Sequence, residues 1–492
     1  MKKVVHKKKT NKFYKILSFI LLLFTVFSFS VLLYFDVLPT KYLIIGGILL
    51  SIIILFVIYK LNVKTCLFTK LLCVLLTVIF IFIELLGTIY AFGTIDFFNN
   101  IFDTGYQSES YGVYVINKDL KLKDLNNKKI GIKNDEESNI NKALDKLKSK
   151  IKYELLDYER ITDMVKDLKE EKINGIFINV ALMDSFLQDH DEELTQIYTT
   201  EILVKNEGEF KTVNVTKKPF AIYLSGVDTT GRVNQSARSD VNIVAYVNPV
   251  TGKILLVNTP RDYYINLYSK NAKDKLTHAG IYGVNESAKS LELLYDTEIN
   301  YYVRINFTSF IKIIDNLGGI TVDVDKPDYR YNNDKDCGIG YICEQNSKRE
   351  WENKTIYIKS GKNVKLNGEQ ALAYARNRHQ FADGDNARGT HQQEIIKAMI
   401  EKIISPTIIT KYNTVLNDLS KGIITNIDQK TITKLINYEL DTNKKWEIEM
   451  ISSKGTNGFD TCYSLGKYKA YVLVPDEDNL IEIKSKIKEI MG

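Results

Sequence analysis

In a chain of 492 residues, the five cysteines and five histidines show no spacing that suits zinc. Cys66 and Cys73 fall in or beside apolar runs, Cys462 stands alone, and only Cys337 and Cys343 are near enough to look paired. His278, His379 and His391 are too scattered to argue a metal or a catalytic base. There is no Walker loop, no GxSxG elbow and no dinucleotide fingerprint, which counts against the common nucleotide-binding and serine-hydrolase readings. A strong charge imbalance is missing as well. The net charge is +6, and seven lysines precede Ile16 (Lys2, Lys3, Lys7, Lys8, Lys9, Lys12 and Lys15). Beside a long apolar run, such a tail is more often a topology signal than a nucleic-acid contact.

What is present begins with three apolar runs, at about residues 16–35, 42–59 and 71–92. Each approaches the ~20 residues that span a bilayer as a helix. No small-residue cleavage site follows the first, so it reads as an anchor and not as a signal peptide. The basic sides are the N-terminal tail and the loop with Lys60, Lys64 and Lys70, whereas residues 36–41 are nearly neutral. The positive-inside rule then predicts a cytoplasmic N-terminus and everything after about Gly93 outside the cell. Glu84 in the third run reads as a carboxyl hidden against neighbouring helices.

Residues 105–207 alternate short strands (112–116, 129–132, 173–178) with amphipathic helices (140–150, 161–171), a small α/β accessory domain. The stretches LNNKKIGI and VKDLKEEKINGIFI resemble one lobe of an extracellular solute-binding domain. Residues 207–218 are polar and read as a linker to a domain covering 218–492.

That domain is organised around residues 220–262, where charges fall at strand ends. Strands are predicted at 220–227, 241–247 and 253–258, with turn chemistry at Asn248-Pro249-Val250-Thr251-Gly252. If the hairpin closes there, Asp240 lies beside Arg261, and Asp228 joins them if the first strand is a sheet neighbour. Arg232, Arg238 and Arg261 then gather at one sheet edge, where open sheets place ligands. Further on, residues 302–310 read as a strand feeding a helix at 311–317, with a strand at 320–324 and a polar surface loop at 330–353. Asn367 with Gln370 caps a helix ending at Arg376-Asn377-Arg378, and residues 379–385 lead to a helix from 386 to 404. In that last helix the stripe Ile395, Ile396, Met399, Ile400, Ile403 and Ile404, run backward by fours, reaches Gln392 and Arg388, so polar residues continue the inward face at the N-terminal end. Five arginines (Arg238, Arg261, Arg376, Arg378 and Arg388) thus become candidates for an anion site, a residue type suited to bidentate phosphate contacts. Asp228 and Asp240 are a candidate divalent-metal pair, or else they pair with the arginines.

The segments GVDTTGR…ARSDVNIVAYVNPVTGKILLVNTPRD, LGGITVDVD and LNGEQALAYARNRHQFADGDNARGTHQQE resemble the LytR-CpsA-Psr family of bacterial envelope proteins. Three crossings followed by an accessory domain resemble its capsule-linked branch. The resemblance implies an α/β/α sandwich around a mixed central sheet. It also implies an enzyme that transfers a glycopolymer, of the wall teichoic acid or capsular type, from a polyprenyl pyrophosphate carrier to peptidoglycan through a phosphodiester. By motif position, Asp228 and Asp240 would hold Mg2+. Arg238, Arg261, Arg376, Arg378, Arg388 and Gln392 would contact the pyrophosphate, with Asp385 in support. Asp240, Arg238 and Arg261 are the catalytic candidates, Asp240 as one possible base. Many members carry a second arginine where this chain has His391, so position 391 is not assigned to phosphate.

The carrier's tail needs an apolar slot, and the Ile, Leu and Phe residues between 301 and 324 are candidates to line it, although a plain core explains them equally well. Two rival functions remain at this level: a hydrolase of the same lipid pyrophosphate, and a non-enzymatic membrane sensor or transcriptional attenuator. The second fits poorly, because the predicted cytoplasmic part is too small for a DNA-reading fold. A disulfide between Cys337 and Cys343 suits an extracellular compartment, with two free thiols as the alternative.

Overall fold

A computed structural model describes residues 12–34, 40–102, 105–133, 138–190, 193–205, 209–227, 233–328, 341–345, 355–378, 380–382, 384–403, 422–442, 444–466 and 468–492. The chain forms two compact units, residues 1–100 with 428–443 and residues 101–427 with 444–492. In the first, helices α1 (Lys12–Tyr34), α2 (Thr40–Asn62) and α3 (Leu67–Ile101) are long and apolar enough to cross a membrane. They meet through Leu21, Ile54, Val57 and Leu61. Thr25 Oγ1 donates to Glu84 Oε1 at 2.6 Å, so this carboxyl is held between helices as the sequence predicts.

The second unit opens with a five-stranded sheet in the order β3-β2-β4-β1-β5: β1 (Tyr106–Val115), β2 (Lys128–Lys133), β3 (Tyr153–Tyr158), β4 (Gly175–Asn179) and β5 (Thr195–Lys205). Helices α4 (Ser138–Lys148), α5 (Ile161–Lys169) and α6 (Val180–His190) cover it. The predicted strands and helices are present. β3, α6 and β5 were not predicted, because β3 and β5 carry a polar, half-exposed pattern and α6 follows β4 without a turn signal.

The larger sheet has the order β16-β11-β6-β7-β8-β17. It contains β6 (Phe220–Val227), β7 (Ser239–Asn248), β8 (Lys253–Asn258), β11 (Tyr301–Asn306), β16 (Ile423–Thr425) and β17 (Glu447–Ser452). It is mixed: β6, β7 and β8 run antiparallel, while β11 lies parallel to β6 and β17 parallel to β8. The β7–β8 turn uses Asn248 Oδ1 to accept from Val250 N and Thr251 N, and Gly252 takes φ 76°, which a side chain would resist.

One face of the sheet buries Tyr223, Val244, Tyr246 and Leu255 against α8 (Val284–Tyr295) and the C-terminal helix Glu477–Met491. Each such apolar side chain contributes ~1.5–3 kcal/mol. Between β8 and α8 come the short β9 (Tyr264–Asn266), β10 (Lys273–Lys275) and α7 (Leu276–Ala279).

On the other face lie α9 (Phe307–Asn316), α10 (Gly368–Arg376) and α11 (Asp385–Ile403), with β12 (Ile320–Val324), β13 (Tyr341–Gln345), β14 (Thr355–Lys359) and β15 (Gly361–Leu366) beside them. α9 starts earlier than its apolar run implies because Asn306 caps it, accepting from Ser309 N. The Asn367–Gln370 capping box forms as predicted. The expected surface loop at 330–353 is corrected in part: residues 341–345 are a strand pairing with β14. The last hairpin is β18 (Gly455–Cys462) with β19 (Tyr468–Pro475). Cys343 is disulfide-bonded, while Cys66, Cys73 and Cys462 are free. Cys337 lies outside the described residues.

Candidate functional site

The hairpin register sets the first charged pair. Ile243 lies opposite Asn258, and carrying that pairing beyond the strand ends puts Asp240 opposite Arg261. Arg261 Nη1 is indeed 3.1 Å from Asp240 Oδ1. A second feature aims this carboxylate. Gly226 pairs with Val241 but Val227 pairs with Ser239, so Asp240 is the extra residue of a β-bulge. Simple alternation would give Asp240 the face of Val244, in the core under α8. The bulge turns it to the opposite face, a device common beside active sites.

On that face is a cavity of about 460 Å³. One end is polar, with Asp240, Arg261, Arg376, Arg378, Arg388 and Gln392 in its wall. The rest is apolar. β11 and α9 contribute Val303, Ile305, Phe307, Phe310 and Ile313, and α11 contributes Ile396, Met399, Ile400 and Ile403. The predicted stripe of α11 from Ile395 to Ile403 therefore lines this space, with Arg388 and Gln392 at the polar end, while Ile404 lies outside the described residues. Gln392 Nε2 donates to Ala375 O at 3.1 Å, which ties α11 to α10. Arg376 lies over the Phe307 ring at 5.2 Å, a cation–π contact at the boundary of the two ends.

Arg238 is not part of the cavity wall, but its charge acts on Asp240. Its Nη1 is buried with no hydrogen-bond partner among the described residues. Buried donors are rarely left so, and this one suits an anion. Asp228 and Arg232 lie outside the described residues, as do His379 and the side chain of Asp385, which opens α11.

Burial alone would raise the Asp240 pKa, but the guanidinium groups of Arg261, Arg238 and Arg388, with the Thr277 hydroxyl, outweigh it and hold the carboxyl below its ordinary value. Its Oδ1 meets both Arg261 Nη1 and Thr277 Oγ1, the latter at 3.2 Å. An ionised carboxylate in the wall of such a cavity is the kind of oxygen ligand a hard cation takes. No group of three His, Cys, Asp or Glu side chains that could hold a metal occurs among the described residues.

Three residues were missed from the sequence. Glu344 on β13 lines the cavity beside the arginines, fixed by Asn377 Nδ2 at 3.0 Å; the polar run around it gave no sign of a strand. Arg304, 1% exposed, donates from Nη2 to Gln235 O and Ala237 O, both at 3.2 Å. A charge inside the apolar strand YYVRIN was the available signal. Thr277 had none. His391, at 0% exposure, lies away from the cavity wall, stacked on Tyr374 at 4.0 Å and 3.4 Å from Asp325.

A family profile described as the LytR_cpsA_psr family matches residues 186–489. The polyisoprenyl-teichoic acid–peptidoglycan teichoic acid transferase TagV of Bacillus subtilis (strain 168) is 30% identical over 283 residues, 56% of this chain and 66% of that protein. The chain therefore spans just under two thirds of that relative. Biofilm regulatory protein A of Streptococcus mutans is 30% identical over 323 residues, 60% of this chain and 72% of that protein. A solved structure of TagT bound to LIIa-WTA matches 58% of this chain and 95% of its own at 26% identity, with a TM-score of 0.44. With residues 186–489, more than half of the chain, matched by one profile and a relative covered over 72% of its length, the chain belongs to the LytR_cpsA_psr family.

Proposed function

We propose that this chain is a membrane-anchored phosphotransferase that moves a glycopolymer from a polyprenyl pyrophosphate carrier to peptidoglycan, leaving a phosphodiester. The observation that carries the reading is the division of one cavity into an arginine-rich end and an apolar slot. A pyrophosphate fits the first and an isoprenoid tail the second. The name of the TagV relative, a polyisoprenyl-teichoic acid–peptidoglycan teichoic acid transferase, agrees with this division.

Cleaving the pyrophosphate supplies the driving force, so no nucleotide is needed. Arg261, Arg376, Arg378 and Arg388 spread the charge that develops on the transferring phosphorus and on the departing lipid phosphate. Gln392 and the stacked Arg376 hold the donor in line. Asp240, together with Asp228, would hold Mg2+, which supplies further neutralisation of phosphate charge when bound. The acceptor hydroxyl's proton passes to a carboxylate of the cavity wall, Asp240 or Glu344. With the N-terminus cytoplasmic, the site faces the cell wall.

The test is incubation of purified protein with a lipid-linked glycopolymer and peptidoglycan fragments, followed by mass analysis of products. A glycan joined to peptidoglycan through phosphate supports the transferase. Release of free glycan phosphate at the same rate with and without acceptor would mark a hydrolase, and no turnover at all would favour a sensor.

A further inference from the structure

The accessory domain does more than precede the site, because the same compact unit holds both and one apolar core runs through them. Met164, Ile178, Leu182 and Met183 of the accessory domain pack in a single cluster with Tyr264, Ile281 and Val472 of the larger one. Two polar attachments sit on this core.

The first is at the sheet edge. β4 pairs with β1 only at residues 111–114, which leaves the N-terminal half of β1 open on that side. There Ser108 N donates to Asn234 O at 3.0 Å and Ser236 N to Ser108 O at 2.7 Å. Gln235 Nε2 adds a bond to Ser110 Oγ at 2.9 Å. Residues 234–236 thus extend the accessory sheet by one short strand. Two residues later the chain reaches Arg238, then the bulged Asp240.

The second attachment is a buried cluster. His278 Nδ1 donates to Asp274 Oδ1 at 2.7 Å, and its Nε2 lies 3.0 Å from Ser185 Oγ of α6. Ser464 N donates to Asp274 Oδ2 at 2.7 Å. Ser185, His278 and Asp274 have the order of a hydrolytic triad, but they are 1%, 1% and 0% exposed and line no part of the cavity, so the serine is closed to substrate. What this cluster does is hold α7 against the accessory domain. Thr277, its neighbour in α7, donates to Asp240 Oδ1 and takes its backbone position from Arg261 O at 2.8 Å. At the end of α7, a Cβ on Gly280 would lie 2.7 Å from Ser239 N and 2.8 Å from Ala237 O, so helix and loop meet at backbone distance.

We propose that the accessory domain is a positioning element of the transfer site: its sheet edge holds residues 234–240, and its Ser185 holds α7, whose Thr277 hydroxyl fixes the Asp240 carboxylate. This rests on the proposed transferase reading. Thr277 and Ser185 act through Asp240 and are positioning residues. Losing a hydrogen bond to a charged group reduces turnover by about tenfold or more, and a misplaced reacting group can cost as much.

The experiment measures kcat and donor KM for glycan transfer by the full chain carrying Thr277→Val, Thr277→Ser, Ser185→Ala, Gln235→Ala, Arg261→Ala, and Thr277→Val combined with Ser185→Ala. The expected result is a loss of about tenfold in kcat for Thr277→Val with donor KM nearly unchanged, recovery in Thr277→Ser, and smaller kcat losses of the same kind in Ser185→Ala and Gln235→Ala. The double variant should lose less than the product of its single losses, because both substitutions disturb the same carboxylate. If Ser185→Ala does not fold, Gln235→Ala decides. Inactive Arg261→Ala alongside wild-type kcat in Gln235→Ala and Ser185→Ala, or losses that multiply independently, would overturn the proposal alone. Wild-type transfer by Arg261→Ala would overturn the transferase reading beneath it.

Discussion

Arg261→Ala removes the group that joins the hairpin to the cavity. Across the 3.1 Å contact with Asp240, Coulomb's law at an effective dielectric constant of ~20 gives roughly 5 kcal/mol of attraction. Most of it is offset by desolvation of two groups that are 13% and 15% exposed. Arg238, Arg388 and the Thr277 hydroxyl still act on Asp240 after the change, so the loss of fold stability should be about 1–3 kcal/mol. The effect on chemistry is larger. A charge-assisted bond to phosphate is worth ~1.5–3 kcal/mol, so kcat/KM for transfer should fall about 10- to 150-fold. Arg261→Lys keeps the charge but loses the fork that serves Asp240 and phosphate together, and should fall between. Lys312, exposed on α9 and outside the cavity wall, is the control. The assay is initial-rate transfer from a lipid-linked glycan to peptidoglycan, with thermal melting of each variant to separate folding from turnover. Equal losses in Lys312→Ala and Arg261→Ala, or none in either, would refute the reasoning.

Other outcomes follow from the same geometry. Ile400→Asp puts a carboxylate in the apolar slot and should weaken binding of a polyprenyl phosphate by more than about tenfold while leaving the fold melting as a unit; unchanged binding in a lipid pull-down would remove the slot from the account. Asp240→Asn should lower apparent Mg2+ affinity, with part of the activity restored by excess Mg2+, whereas full wild-type transfer in chelator, once bound metal is shown absent, would end the metal proposal. Glu394 is pushed up to about 7 from its ordinary 4.5, first by burial and then by the Asp325 charge, with Asp323 adding to it and Tyr374 and Lys397 opposing. A carboxyl raised on folding stabilises while protonated, so its contribution is full below about pH 4.5 and is lost as pH rises through 7. The melting temperature should therefore decline more between pH 5 and 8 in wild type than in Glu394→Gln; parallel profiles would contradict the assignment.

The elements that carry the site were largely legible. Strands β6 and β8 match their predicted ends, because β-branched runs stop at polar turn residues there. The Asp240–Arg261 contact followed from hairpin register alone. The stripe of α11 was legible because one periodicity joins the apolar and polar residues of a single face. The bulge was not, since alternation around Ser239 and Val241 contains no mark of an extra residue. Glu344 was hidden for another reason: β13 is specified by pairing with β14, a contact that five residues set in a polar insertion do not announce. The role of His278 was also out of reach, because its partners Ser185 and Ser464 lie 93 and 186 positions away in sequence.

The most direct test of the central claim is mass spectrometry of lipid extracted from the full chain purified in mild detergent, with Ile400→Asp prepared in parallel. The account predicts a polyprenyl phosphate or pyrophosphate near one per protein in the wild type and its loss from the variant. A wild-type protein that carries only bulk phospholipid, in the same amount as Ile400→Asp, would contradict it.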